Sequence, residues 1–243
     1  MKLACTIEAR MRSSRLPGKV LLKINEMEFL KLMISRVRLS KQIDQIIIAT
    51  TTHPDDDLIV EFARNNNLEY FRGSENNVLS RVIGAAEKYN QEVIVALTGD
   101  CPLIDPEIID NCIVQFLNND VDYLSNAIIR SYPDGMDTQV LKVEALRKSV
   151  QSTTDRLDLE HVTLFIRNNP QTFKLKNILA SETQFWPELG LTLDEPSDVL
   201  LFQEILSYFQ PRIDFSLDEI IAFLLKNPSI TEINSKVKRV GDH

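Results

Sequence analysis

The chain has 243 residues, enough for one large α/β domain or a domain with an appendage. Hydrophobic residues make up 44%, ordinary for a globular protein with a substantial core. A formal net charge of −8 argues against nonspecific nucleic-acid binding, which needs a cationic surface.

Leu3-Ala4-Cys5-Thr6-Ile7 is a short apolar run, the length of one buried strand. The sequence then changes character. Glu8-Ala9-Arg10-Met11-Arg12-Ser13-Ser14-Arg15-Leu16-Pro17-Gly18-Lys19 carries three arginines, a lysine and two serines, with Pro17-Gly18 marking a turn. Cations this dense repel one another, so the pattern points to an anion among them. A phosphate chain fits, because backbone N–H groups, hydroxyls and cationic heads converge on it at the end of a strand, where open α/β sheets place ligands. A solvated basic loop is the alternative.

Phe29, Leu32, Met33, Arg36 and Val37 recur at helical spacing and predict a helix over residues 28–39. Gln45-Ile46-Ile47-Ile48-Ala49-Thr50 reads as a buried parallel strand. Residues 51–55 cap the next helix, whose inner face carries Leu58, Ile59, Phe62 and Ala63. Glu69-Tyr70-Phe71 is a third short strand, and the helix after it carries Val78, Leu79, Val82, Ile83 and Ala86. Val93-Ile94-Val95-Ala96-Leu97 is a fourth strand, ending in Thr98-Gly99-Asp100-Cys101-Pro102. A helix over residues 106–117 and a fifth strand over 121–126 follow. This alternation predicts an α/β fold: a mostly parallel, Rossmann-like sheet with helices on both faces and right-handed crossovers. The basic loop and Asp100 should then share its carboxyl-terminal edge.

The alternation weakens after residue 126. Residues 131–135 form a turn, 136–143 a strand, 144–150 a helix, and 159–167 a helix carrying His161. Residues 172–178 alternate like an antiparallel strand, and Gly190-Leu191-Thr192-Leu193-Asp194 is a short strand ending on an acid. A helix opens at Glu195-Pro196-Ser197-Asp198 and runs to about residue 208. The last helix, 217–225, follows a capping box of Ser216 and Glu219. We read one domain over residues 1–243: a sheet core to about 126, a part with an antiparallel β insertion over 127–190, and a closing strand with helices over 191–243.

Cys5, Cys101 and Cys112 show no paired spacing, and His53, His161 and His243 are scattered, so neither a disulfide framework nor a zinc site is expected. With no signal-peptide h-region and no run of 18 apolar residues, a soluble cytoplasmic protein without a membrane partner is expected. Core or interface packing is expected of Trp186, the single tryptophan.

Two acids stand out. Asp100 ends an uncharged strand after Gly99. A carboxylate there suits Mg²⁺, which takes one or two carboxylates together with phosphate oxygens and water. Asp194 ends the short apolar run at 191–193. A turn or cap residue is the alternative for each.

Ala9-Arg10-x-x-Ser13-Ser14-Arg15-Leu16-Pro17-Gly18-Lys19 resembles the signature loop of the cytidylyltransferases that activate 3-deoxy-sugar acids as CMP-sugars, such as the CMP-KDO and acylneuraminate cytidylyltransferases. Over residues 1–237 the chain is most similar to the branch named after the spore coat polysaccharide protein SpsF. The resemblance implies a fold of the nucleotide-diphospho-sugar transferase type and a homodimer, with residues 127–190 as the acceptor-binding and dimerisation part. It implies Mg²⁺-dependent transfer of CMP from CTP to a sugar acid or phosphorylated small acceptor, with release of pyrophosphate, for surface polysaccharide or glycan synthesis.

Carried over residue by residue, it assigns nucleotide binding to Glu8, Ala9, Arg10, Ser13, Ser14, Arg15 and Lys19, to Arg72, Gly73, Ser74 and Arg81 of a second motif, and to Thr98. Gly99-Asp100-Cys101-Pro102-Leu103-Ile104 and Leu191-Thr192-Leu193-Asp194-Glu195-Pro196 match its metal-carboxylate segments, so Asp100 and Asp194 would hold Mg²⁺. Arg15, Lys19 and Asp100 would be catalytic. Tyr132, Asp137 and Gln139 lie in a segment similar to the acceptor side, and Glu160 and His161 in Asp158-Leu159-Glu160-His161-Val162-Thr163, which matches an acid-His-Val-Thr motif. Asp137 and Gln139 alternate onto one strand face, and the solvent face of an edge strand is the alternative. The chain departs from the family where acids are expected at Asn76, Asn77 or Ser80 and where Leu159 replaces an expected arginine. Two other activities stay open: a nucleotidyltransferase using GTP or another NTP on a sugar 1-phosphate, and a glycosyltransferase. The missing Asp-x-Asp at a strand end counts against the second.

Overall fold

Side chains alternate across the first strand, β1 (Leu3–Glu8), so Cys5 and Ile7 join one hydrophobic core while Ala4 joins another on the opposite face. The computed structural model describes residues 2–239. A small hairpin, β2 (Lys23–Ile24) and β3 (Met27–Glu28), precedes helix α1 (Phe29–Val37). Strands β4 (Ile46–Thr51), β5 (Glu69–Gly73) and β6 (Val93–Thr98) then alternate with helices α2 (Asp57–Asn65), α3 (Val78–Lys88) and α4 (Pro106–Leu117). Next come β7 (Tyr123–Ser125), β8 (Gln139–Lys142), α5 (Val143–Ser152), α6 (Arg156–Glu160), α7 (Leu164–Asn168) and β9 (Leu175–Asn177). Helices α8 (Pro196–Phe209), α9 (Leu217–Lys226) and α10 (Pro228–Thr231) complete the set.

Seven strands form one sheet in the order β5-β4-β1-β6-β8-β7-β9. The first four run parallel, as the alternating sequence predicts. β8 is antiparallel to both β6 and β7, so the antiparallel insertion is a single strand wedged between β6 and the expected fifth strand. Helices cover both faces. α1, α2, α4, α8 and α9 pack on the side of Cys5 and Ile7, and α3, α5 and α7 supply the core on the other.

Several expectations need correction. Residues 175–177 pair parallel to β7, not antiparallel, because period-2 alternation reports which face a residue takes and not strand direction. Residues 190–194 form no regular strand; Gly190 makes one isolated parallel bridge to Asp134. The helix expected over 159–167 is broken into α6 and α7 at residues 161–163, where Thr163 Oγ1 donates to Gln139 Oε1 at 2.6 Å. Leu58 is 53% exposed, and Val60 is buried instead. α10 extends the chain past the expected last helix.

Arg36 on the inner face of α1 is fully buried. Its Nε donates to Ile104 O at 3.0 Å, its Nη2 to Leu103 O at 3.2 Å and Phe215 O at 3.0 Å, and its Nη1 to Ile213 O at 2.5 Å. Its guanidinium also lies 4.4 Å from the centre of the Phe215 ring. Burial lowers its pKa to about 10, against the pull of Asp105, Asp214 and Glu219. One cation thus ties the loop after β6, which carries Asp100, to the connection between α8 and α9. Arg36→Met should cost about 3–5 kcal/mol in urea unfolding, since buried carbonyls left without donors carry their desolvation penalty. A loss below about 1 kcal/mol, the ordinary worth of one hydrogen bond, would contradict this role.

Candidate active site

Parallel strands β1, β4, β5 and β6 end together, so the loops after them meet at one sheet edge, and the chain reverses its direction of travel across the sheet beside β1. The loop after β1 is held at both ends. Met11 N donates to Asp56 Oδ1 at 2.7 Å, and Gly18 N donates to Met11 O at 2.7 Å. Gly18 has φ 72°, the left-handed conformation that glycine adopts without a Cβ penalty. Asp56 is itself buried and also accepts from Thr51 N at 3.1 Å and from Thr51 Oγ1. A turn of 3₁₀ helix, Lys19–Leu21, then carries Lys19 beneath the cleft.

The loop after β6 approaches β1 closely. Gly99 N donates to Glu8 O at 2.8 Å, and a Cβ at Gly99 would stand 2.8 Å from that same oxygen. Leu193 N donates to Asp100 O at 2.8 Å, which brings the two acid-bearing segments side by side. Lys19 Nζ lies 2.7 Å from Asp100 Oδ2 and 3.0 Å from Asp194 Oδ1. Arg15 Nη2 lies 2.9 Å from that same Asp194 oxygen. Burial pulls the Lys19 pKa down, but Asp100 and then Asp194 more than reverse this, and the net direction is upward. With a raised folded pKa, the stability that Lys19 contributes is fully present below the ordinary lysine value of about 10.4. It is lost only as pH climbs through the still higher folded value.

These residues line a cleft of about 330 Å³, together with Glu8, Ala9, Arg10, Ser13, Ser14, Arg81, Thr98, Glu160 and His161. Arg81 is buried, its Nη1 donates to Ser74 O, and its Nε has no partner among the described residues. Burial lowers its pKa, and the nearby charge of Arg10 acts in the same direction. The cleft therefore concentrates cations against a pair of carboxylates. Among the described residues no group of three His, Cys, Asp or Glu could hold a metal ion, so a cation here would depend on Asp100, Asp194 and oxygens of a ligand.

Other expected site residues lie behind or beside the cleft. Arg72 donates from Nε to Thr51 O at 2.8 Å and from Nη2 to His53 O at 2.9 Å, bracing the turn before α2. Gly73 pairs with Thr51 in the sheet, and Ser74 Oγ accepts from Asn77 N at 3.0 Å. Asn77 caps α3, its Oδ1 accepting from Ser80 N at 2.8 Å, and asparagine serves that position as well as aspartate does. Tyr132 is buried in the main core. Asp137 takes both arms of Arg130 at 3.1 and 2.9 Å. Gln139 Oε1 accepts from Tyr123 OH at 2.9 Å as well as from Thr163. Of the five expected acceptor residues, Glu160 and His161 line the cleft.

Sequence reasoning missed Asp56, Asp198 and Arg239 as residues that support the site. Asp198 is buried, and its Oδ2 accepts from Asp194 N at 2.9 Å and Glu195 N at 2.8 Å. Its signal was local: an acid three residues after Glu195 completes a capping box at the start of α8. Arg239 lies past the last residue of the resemblance and has no local signal.

The family model described as Cytidylyltransferase matches residues 4–229. An uncharacterized protein of Methanocaldococcus jannaschii is 37% identical over 241 residues, covering 98% of this chain and 97% of that one. The spore coat polysaccharide biosynthesis protein SpsF of Bacillus subtilis is 34% identical over 228 residues, covering 91% of this chain and 93% of that one. Among solved structures, a cytidylyltransferase from Leptospira borgpetersenii serovar Hardjo-bovis matches with TM-score 0.92 at 33% identity, over 98% of this chain and 100% of that one. The protein is a nucleotidyltransferase. More narrowly, it belongs to the cytidylyltransferase family, as the loop at residues 9–19 suggests.

Asp56 tests how that loop is held. Asp56→Ala removes the acceptor for Met11 N and for both donors of Thr51. Limited trypsin cleavage after Arg12 or Arg15 should accelerate about tenfold as the loop opens locally. Equal cleavage rates would show that Asp56 does not hold the loop.

Proposed function

We infer that the cleft binds CTP and transfers CMP to an oxygen of a sugar acid or of a phosphorylated small acceptor, releasing pyrophosphate in a Mg²⁺-dependent reaction. The observation that carries this reading is Lys19 Nζ held between Asp100 Oδ2 and Asp194 Oδ1 at the floor of a cleft lined by Arg10, Arg15 and Arg81. An acceptor oxygen forms a bond to the α-phosphorus, and the bond from that phosphorus to the bridging oxygen of pyrophosphate breaks. The protein needs no covalent nucleophile for this. Its task is to position the phosphate chain and to offset charge.

The donor set fits Mg²⁺. Two carboxylates already converge within reach of one cation, the Lys19 ammonium, which stands in for a hard ion at their shared site. Asp100 and Asp194 would hold the metal, which supplies Lewis-acid polarisation of the α-phosphate. Arg10, Arg15 and Arg81 meet the phosphates, and Ser13 and Ser14 offer hydroxyls. Lys19 has two anionic claimants, the carboxylates and the phosphate chain, so nucleotide binding redistributes its contacts. Glu160 and His161 face the acceptor from α6 and its C-terminal end. A sugar-type acceptor destined for surface polysaccharide is supported by the name of the Bacillus relative.

We take the working form to be a cytoplasmic homodimer. Support for pairing comes from the region 127–190, where Ile129, Leu179 and Phe185 are 62%, 60% and 61% exposed.

Pyrophosphate release, scored with each NTP and a panel of 3-deoxy-sugar acids and sugar phosphates, tests the reading. CTP should be preferred over ATP, GTP and UTP, and a clear preference for GTP would overturn the nucleotide assignment. Lys19→Ala should lower kcat/KM by about 100-fold or more, the scale of a lost charge contact in a closed site. Asp100→Asn, Asp194→Asn and EDTA should each abolish turnover. Full activity in EDTA would remove the metal from the account.

A further inference from the structure

The family match stops at residue 229, yet three later residues reach the segments that build the cleft. Asn234 Nδ2 donates to Gly190 O at 2.9 Å and to Asp198 Oδ1 at 2.8 Å. Lys238 O accepts from Arg15 Nη1 at 3.2 Å. Arg239 Nη1 donates to Thr192 O at 2.9 Å, and its Nη2 lies 2.6 Å from Asp198 Oδ1. The guanidinium lies so close to the chain that a Cβ at Gly190 would stand 2.3 Å from Nη2. The end of the described chain is thus clipped onto the segment that carries Asp194.

Asp198 is fully buried and already holds the backbone N–H of Asp194, so it needs a counter-charge in place. Arg239 supplies it. The same guanidinium faces Asp194 itself, with Nη1 at 3.6 Å from Oδ2. Arg15 and Lys19 hold the other oxygen, Oδ1, at 2.9 and 3.0 Å. The Asp194 carboxylate is therefore flanked by cations on both oxygens, and its Oδ1 is turned toward Lys19 and Asp100.

We propose that Arg239 is a positioning residue for nucleotidyl transfer, fixing the rotation of the Asp194 carboxylate while neutralising Asp198. The proposal rests on reading Asp194 as a metal carboxylate. Asp198 also accepts from Asp194 N and Glu195 N, so Asp198→Asn carries a loss of its own. If Arg239 served Asp198 alone, removing Arg239 as well would add nothing to that loss. If it orients Asp194, the loss deepens.

The test compares the full chain carrying Asp198→Asn with the chain carrying both Asp198→Asn and Arg239→Gln, and measures kcat, KM for CTP, and calorimetric binding of the Mn²⁺–CTP complex without acceptor. Relative to Asp198→Asn, the expected result in the double variant is a kcat about tenfold lower and Mn²⁺–CTP bound about tenfold more weakly, with KM for CTP rising alongside. A kcat and a Mn²⁺–CTP affinity equal to those of Asp198→Asn alone overturn the proposal. Should the double variant not fold, Arg239→Lys, which keeps the cation and loses the planar fork, is measured instead against the wild type, and wild-type values there overturn the proposal. Asp194→Asn is run alongside. Loss of Mn²⁺–CTP binding there, with none in the Arg239 variant, overturns this proposal alone. Unchanged binding in Asp194→Asn overturns the metal assignment and the proposal with it.

Discussion

One ammonium group joins the parts of this site. Lys19 Nζ touches Asp100 and Asp194, which come from the loop after β6 and the segment before α8, far apart in the sequence. Without a cation between them, two carboxylates this close and this poorly hydrated would repel each other, and the loops carrying them would separate. With it, the loop after β1, the loop after β6 and the segment before α8 become one unit. The backbone bond from Leu193 N to Asp100 O, 2.8 Å, closes that unit a second time. The constraint also bears on the proposed chemistry, because two carboxylates drawn together by one cation are the donor set that the proposed Mg²⁺ would need beside phosphate oxygens.

Buried charged side chains recur wherever a loop must be held without a strand partner. Asp56 collects the N–H of Met11 and of Thr51, Arg36 collects carbonyls on both sides of the core, and Asp198 collects the N–H of Asp194 and Glu195. Loop backbone has no ladder to satisfy it, so its donors and acceptors need side-chain partners or water. Charged partners make shorter and stronger hydrogen bonds than neutral ones. The protein thereby fixes the cleft on loops while the parallel sheet beneath supplies rigidity. A net charge of −8 coexists with a cationic cleft because the excess acids lie elsewhere on the chain.

The parallel half was legible because its signals are redundant. The runs at 3–7, 45–50 and 93–97 are apolar on both faces, as strands buried between two helical layers must be, and the helix at 106–117 has an aspartate cap and a proline at its first turn. The second half was less legible because its elements are short and depend on distant partners. Nothing local tells β9 that β7 will run beside it in the same direction, or tells Thr163 that Gln139 will break the helix. Arg10, Arg15, Lys19 and Asp100 were readable from residue type and position after strands, whereas Asp194 ends no strand and Arg81 sits on α3. Asp56 and Asp198 look like ordinary helix-capping acids in sequence, and only the fold gives them loops to hold. Tyr132 carried an apolar ring as well as a hydroxyl, and the core claimed the ring.

The central claim is that Asp100 and Asp194 form one cation site, which Lys19 occupies in the free protein and which serves a metal ion when nucleotide is bound. A crystal structure with CTP and Mn²⁺, phased to show the anomalous signal of the metal, tests this directly. The account predicts a manganese peak bonded to both carboxylates, with Lys19 Nζ moved onto the phosphate chain. A nucleotide bound in the cleft with the Lys19 contacts to both aspartates intact, and with metal bound at neither carboxylate, would contradict it.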